Sequence, residues 1–195
     1  MTNTAPQQDM ITVTFPDGNA RDYTTGTTGF DIAESISKSL SKAAIAITFN
    51  GQQKDLCDPL NENGDIGIIT IKDDAGLEIM RHTLTAQVLA RAVKNLYPSA
   101  KLAIGPTIEN GFYYDVAFEK EISSDDLGAI EKEMRRILGA GNKITKKILS
   151  KAEAQKLFAE CNEPYKVDII ERTEGDAFQI YTQEETDFID LCVGP

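Results

Sequence analysis

The sequence predicts an α+β protein in two parts, a small β-grasp (ubiquitin-like) domain over residues 10–72 and a larger α+β domain over residues 73–195. Three observations lead there. Between residues 10 and 72 the apolar pattern reads β β α β β β, too many strands around one helical segment for a bundle and suited to a mixed sheet curled over that helix. Asp73-Asp74-Ala75-Gly76 breaks the pattern and marks the boundary. Beyond it, helical stripes alternate with short β-rich segments. At 195 residues, 41% apolar and 26% charged, the chain can bury a core without disulfides or a structural metal, which excludes collagen-like and low-complexity classes.

Residues 1–9 are polar, include Pro6, and are expected to form a disordered leader. ITVTFPDG then alternates Ile11, Val13 and Phe15 with threonines, a half-buried strand running into a Pro-Asp-Gly turn, with Asn19 to Tyr23 as the return strand. FDIAESISKSLSK reads as one helix: Ile32, Ile36 and Leu40 recur every four residues on an inward face, and Asp31 suits the helix N-terminus. AIAITFNGQQKDL is strand, Asn-Gly turn, strand; Cys57-Asp58-Pro59 opens a loop; DIGIITIK is the last strand, with Ile66, Ile68 and Ile69 as candidates for burial.

A long helical signal runs from Leu77 to Tyr97, with Leu77, Met80, Leu84 and Val88 on one stripe and Ala86, Leu89, Val93 and Leu96 on a second; Pro98 stops it. KLAIGPTIENGFYYDVAF makes two β-rich segments joined at Glu109-Asn110-Gly111. Ser123 to Asp126 caps a helix whose stripe is Leu127, Ile130, Met134, Ile137 and Leu138. KITKKILS is a strand, Ser150 caps the helix KAEAQKLFAE, YKVDIIER reads as a strand, and AFQIYTQ and DFIDLCVG as a closing strand pair.

Charge and cysteines bound the function. Thirty-one acidic against twenty basic residues give a net charge of −11, which as a whole repels a phosphate backbone. One local exception is Lys143, Lys146, Lys147 and Lys151 in KITKKILSK, either a solvated flank or a phosphate-contacting patch. Cys57, Cys161 and Cys192 are odd in number, widely spaced and lack a CxxC, so they read as reduced thiols of a cytoplasmic protein, with Cys57 and Cys161 as packing residues. The longest uncharged apolar run, AIAIT, is too short to span a bilayer, and no membrane partner is expected. His82 is the only histidine, which excludes a multi-histidine metal site; no metal ligand set is expected in this chain.

Two resemblances sharpen this. FPDG, the TTG turn and the helix before a short apolar strand resemble a TGS domain, the β-grasp module of threonyl-tRNA synthetases and some GTPases. LEIMRH, AVKNLYPSAKLAIGPTIENGFYYDV, NEPYKVDII and DFIDLCVGP follow the order and spacing of the editing domain of bacterial threonyl-tRNA synthetase, so that the resemblance covers residues 10 to 195. It implies an N-terminal fragment of a threonine-tRNA ligase that contacts tRNA(Thr) and hydrolyses mischarged Ser-tRNA(Thr). It also implies that ATP, zinc and the homodimer contacts belong to a ligase core downstream and outside this sequence, so that this chain alone needs no cofactor and does not aminoacylate. The alternative is a stand-alone TGS and editing-like module that binds RNA or regulates without catalysis.

The family's editing site joins an HxxxH on the long helix to a CxxxH after the strand pair, with a lysine and an aspartate nearby. Carried over, His82 matches the first histidine, Lys166 the lysine, Asp190 the aspartate and Cys192 the cysteine. The second histidine's place falls on Gln87 when counted back from AVKNLYP and on Ala86 when counted forward from His82. An ideal helix turns about 100° per residue, so His82 and Gln87 share a face only if a π-bulge absorbs the extra residue. Val193 stands where the family has arginine, the final histidine would fall beyond Pro195, and Glu184-Glu185-Thr186 is extra sequence. Editing is therefore expected to be impaired. A lone helical histidine and a small thiol beside a strand also have structural readings, hydrogen-bonded and packed respectively, as does Lys166 as a strand-flanking lysine.

Overall fold

The computed structural model describes residues 9–195; nearly all of the expected leader lies outside them. The described residues divide into two compact units, one of residues 9–80 with Gly194–Pro195 and one of Arg81–Val193.

In the first unit, β1 (Met10–Thr14) and β2 (Ala20–Thr24) form the expected hairpin, followed by β3 (Thr27–Thr28), helices α1 (Gly29–Ile36) and α2 (Lys38–Ala43), then β4 (Ala44–Phe49), β5 (Gln52–Asp55), β6 (Pro59–Leu60) and β7 (Gly64–Thr70). The sheet order is β2-β1-β7-β4-β5, with β1 and β7 parallel and the other pairs antiparallel, the mixed sheet of a β-grasp. Ile32 of α1 packs with Val13, Ile47, Phe49 and Leu60 in its core. Thr28 and Asp31 form a capping box that starts α1, as the placement of Asp31 suggested.

The single helix expected after it is two. Ser37 is extended (φ −166°, ψ 151°) and its hydroxyl accepts from Leu40 N, ending α1 and capping α2, because a serine offers the backbone a local alternative to the helical bond. Ile36 consequently leaves the inward face and is 40% exposed. At the end of β7, Asp73 accepts from Thr70 N and Oγ1. Gly76 follows so closely that a Cβ there would lie 1.9 Å from the Thr70 carbonyl oxygen. A backbone atom cannot step aside, so Gly76→Ala is expected to lower the thermal midpoint of this unit by several degrees in a calorimetric scan, the size of a loss of about 1–3 kcal/mol.

Helix α3 (Asp74–Thr83) is followed by a π-helical turn, Leu84–Leu89, and by α4 (Ala90–Leu96). Leu77 and Met80 are each 43% exposed, so the first stripe is buried only toward Val88. The larger unit continues through β8 (Lys101–Leu102), the hairpin β9 (Thr107–Ile108) and β10 (Gly111–Phe112), β11 (Val116–Ala117), and α5 (Leu127–Ala140) behind a Ser123/Asp126 capping box. Helix α5 packs Ile130 and Ile137 against Val88 and Ala92, while Leu127 and Leu138 fall outside the buried stripe. Then come β12 (Ile144–Ser150), α6 (Lys151–Glu160), α7 (Pro164–Arg172), β13 (Ala177–Gln183) and β14 (Ile189–Leu191), with an antiparallel sheet ordered β12-β13-β14.

YKVDIIER is therefore helix, not strand. Pro164 at the first turn presets the helical φ, and Val167 and Ile170 pack with Phe158 and Phe178 at helical spacing. A short apolar run of this length fits either period, and here tertiary packing decides. Cys57 and Cys161 are exposed rather than packing residues, the first in a turn and the second at the C-cap of α6. Among the described residues no helix is long and apolar enough to cross a membrane.

Candidate functional site

The larger unit gathers four of the residues singled out in the sequence. His82 lies in the last turn of α3, Lys166 in the first turn of α7, Asp190 at the centre of β14 and Cys192 just past it. His82 Nε2 and Cys192 Sγ are 2.7 Å apart, and Lys166 Nζ donates to Asp190 Oδ1 at 2.8 Å. All four line one cavity of about 440 Å³. Strand alternation accounts for Asp190: Ile189 and Leu191 pack into the core with Phe158 and Ile170, and the residue between them points the other way.

Lys166 and Asp190 are 5% and 2% exposed at their side chains, an ion pair removed from water. Burial pushes the Asp190 carboxyl above its ordinary value, and the Lys166 ammonium pulls against that shift. Lys166 also donates to the Tyr114 hydroxyl at 3.4 Å. Burial, reinforced by Asp190 and Cys192, drives the Tyr114 phenol far above its ordinary range, so it stays protonated and remains a hydrogen-bond donor at neutral pH. Tyr114 sits inside the FYYD motif between β10 and β11, where exposure alternates, Tyr113 and Asp115 being exposed and Tyr114 half-buried, a signal the sequence carried without marking its chemistry.

The π-helical turn settles which residue faces His82. Ala86 lines the cavity, whereas Gln87 is buried away from it: Gln183 Nε2 donates to Gln87 O at 2.7 Å and to Gln87 Oε1 at 3.2 Å. A methyl thus borders the cavity four residues from His82, and the Gln87 amide nitrogen is buried without a partner among the described residues. The opposite wall is Ala103–Pro106, where a Cβ on Gly105 would fall 2.1 Å from Tyr114 Cδ2 and 2.7 Å from Thr85 Cγ2. Gly105→Ala is expected to displace the Tyr114 ring and loosen the cavity, read as a shift in the Tyr114 ring resonances and a fall in unfolding midpoint worth about 1–3 kcal/mol.

The four lysines are not gathered. Lys146 and Lys147 are consecutive on β12 and so point to opposite faces; Lys151 donates to the carbonyls of Glu171 and Thr173; Lys143 and Lys147 are exposed, with Lys143 4.0 Å from Glu184. In the first unit, Asp55, Cys57 and Asp58 bring two carboxylates and a thiol within 4.8 Å of one another, but Asp58 Oδ2 accepts from Asp55 N at 3.1 Å, the closure of a turn.

Comparison with known proteins agrees with this architecture. Residues 11–70 match the TGS domain family. The threonine–tRNA ligase of Acetivibrio thermocellus is 47% identical over 187 residues, 95% of this chain and 29% of the relative; that of Rhodopseudomonas palustris is 44% identical over 188 residues, 96% of this chain and 28% of the relative. The threonine–tRNA ligase of Francisella tularensis subsp. novicida is 44% identical over 186 residues. With a TGS-type β-grasp over residues 11–70 and a cavity lined by His82, Lys166, Asp190 and Cys192 in the second unit, the chain is similar along nearly its whole length to the N-terminal region of threonine–tRNA ligases, and it spans about 29% of them.

Proposed function

We propose that this chain is the tRNA-contacting and editing portion of a threonine–tRNA ligase, acting in the cytoplasm on serine wrongly esterified to tRNA(Thr), with turnover reduced by the missing second imidazole. The observation that supports it most is the convergence of His82, Lys166, Asp190 and Cys192 on one cavity. In this reading His82, beside Cys192, takes a proton from a bound water as the water oxygen attacks the ester carbonyl. Lys166, fixed by Asp190, and the protonated Tyr114 orient the substrate. The bond from the carbonyl carbon to the ribose oxygen breaks, that oxygen recovers a proton, and free serine leaves. In this reading the extra methyl of threonine is rejected by crowding and by displacing the water held among His82, Lys166 and Tyr114, a selection that hydrophobic contacts alone supply weakly.

ATP and zinc chemistry, aminoacylation and dimer contacts are assigned to a downstream ligase core. Lys143 and Lys147 are the exposed cations of the basic run and are assigned to phosphate contact. The deciding experiment is single-turnover release of serine from Ser-tRNA(Thr). Release above the buffer rate that falls by about 10²-fold or more in His82→Ala supports the proposal. The Ala86 methyl favours one other reading, a non-catalytic RNA-binding or regulatory module: tRNA binding with a clear salt dependence but no serine release would select it.

A further inference from the structure

Lys166 and Asp190 also border a second cleft, about 670 Å³, walled by α4, α5 and the turn between β13 and β14. Most of its charges are satisfied internally. Lys94 Nζ donates to Pro98 O, Ala100 O and Glu163 Oε1, Arg136 pairs with Glu133, and Lys166 pairs with Asp190. Three are not. Arg91 is 6% exposed, yet its guanidinium meets only neutral acceptors: Nη1 donates to Gln183 Oε1 at 2.6 Å and to Asn142 Oδ1 at 2.9 Å, and among the described residues its Nε and Nη2 donate to nothing. Glu133, the nearest acid, is already held by Arg136 and Asn95. At the mouth of the same cleft, Glu185 and Asp187 are exposed and have no ion-pair partner among the described residues.

Neither Nε nor Nη2 of Arg91 is shut off from solvent, and the Nε–Nη2 edge of arginine is the edge that grips a carboxylate with two parallel bonds. Asn142 and Gln183 hold the group in place for such a partner. Phosphate fits poorly, because two unpaired carboxylates stand at the entrance; those same carboxylates suit an ammonium. Leu102 and Phe188 supply apolar lining.

We propose that this cleft binds a free α-amino acid, its carboxylate on Arg91 and its ammonium on Asp187 and Glu185. The inference is independent of the editing reading. Glu185, in the turn between β13 and β14, has a left-handed backbone (φ 61°).

The test is a titration of the intact ¹⁵N-labelled chain with L-threonine, L-serine, L-alanine, acetate and inorganic phosphate, following the Arg91 side-chain Nε–H resonance. Saturable shifts with the amino acids, weakened at least tenfold in Glu185→Gln/Asp187→Asn while acetate is unaffected, are expected. That double variant sits on an exposed turn and leaves the buried network intact; Arg91→Lys, which keeps the charge but loses the fork, is expected to lose amino-acid binding as well. Absence of any saturable shift with the amino acids overturns the proposal. So does binding of acetate or phosphate as tight as that of the amino acids and indifferent to the double variant.

Discussion

Asp190→Ala is expected to lower the stability of the Arg81–Val193 unit by about 3–5 kcal/mol, seen as a large fall in its urea midpoint by circular dichroism. The substitution leaves the Lys166 ammonium 5% exposed with only the Tyr114 hydroxyl, a long 3.4 Å contact, to replace a carboxylate at 2.8 Å. Uncompensated charge, rather than the strength of the lost attraction, sets the size of the effect. The control is Lys166→Met/Asp190→Leu, which removes both ions and is expected to recover most of the loss, since swapping a buried pair for packed apolar side chains is often close to neutral. A double variant as unstable as Asp190→Ala would mean that shape, not charge, is what the site loses.

Ala86→His is expected to raise serine release from Ser-tRNA(Thr) by about 10²-fold, and Gln87→His to leave it unchanged or lower it. The difference follows from the wide turn at Leu84–Leu89, which puts residue 86 on the cavity with His82 and residue 87 against Gln183. The cavity has room for an imidazole, so the overpacking cost at a position 5% exposed stays within about 1–3 kcal/mol. Gln87→His, by contrast, removes an amide that Gln183 uses and disturbs the support of Arg91. Were the gain to appear in Gln87→His and not in Ala86→His, the assignment of faces in this helix would be wrong.

Local chemistry was the most readable part of the chain. The Thr28/Asp31 and Ser150/Glu153 capping boxes and the Asn50-Gly51 turn, with Asn50 at φ 52°, all depend on neighbours within four residues, and each stands where the pattern places it. Elements whose identity depends on distant packing were less legible. YKVDIIER has too few apolar positions to separate a period of 2 from one of 3.6, and only Phe158 and Phe178 from elsewhere in the chain decide it. Cys57 and Cys161 misled because a free thiol is usually buried, and their exposure is set by the turn and the helix end they occupy. At the candidate site, His82, Lys166, Asp190 and Cys192 were legible as candidates because each lies in a contiguous motif. The facing position was not, since one extra residue can be absorbed on either side of residue 86 and linear spacing does not say which.

The Lys166–Asp190 pair borders both hollows of the larger unit, so each hollow has a wall in common with its neighbour. Linkage then works in both directions: if an occupant of one compartment nudges that shared partition and alters affinity in the other by some factor, occupancy of the other must return the same factor. Two chemically distinct tenants would in this way report on each other without ever touching.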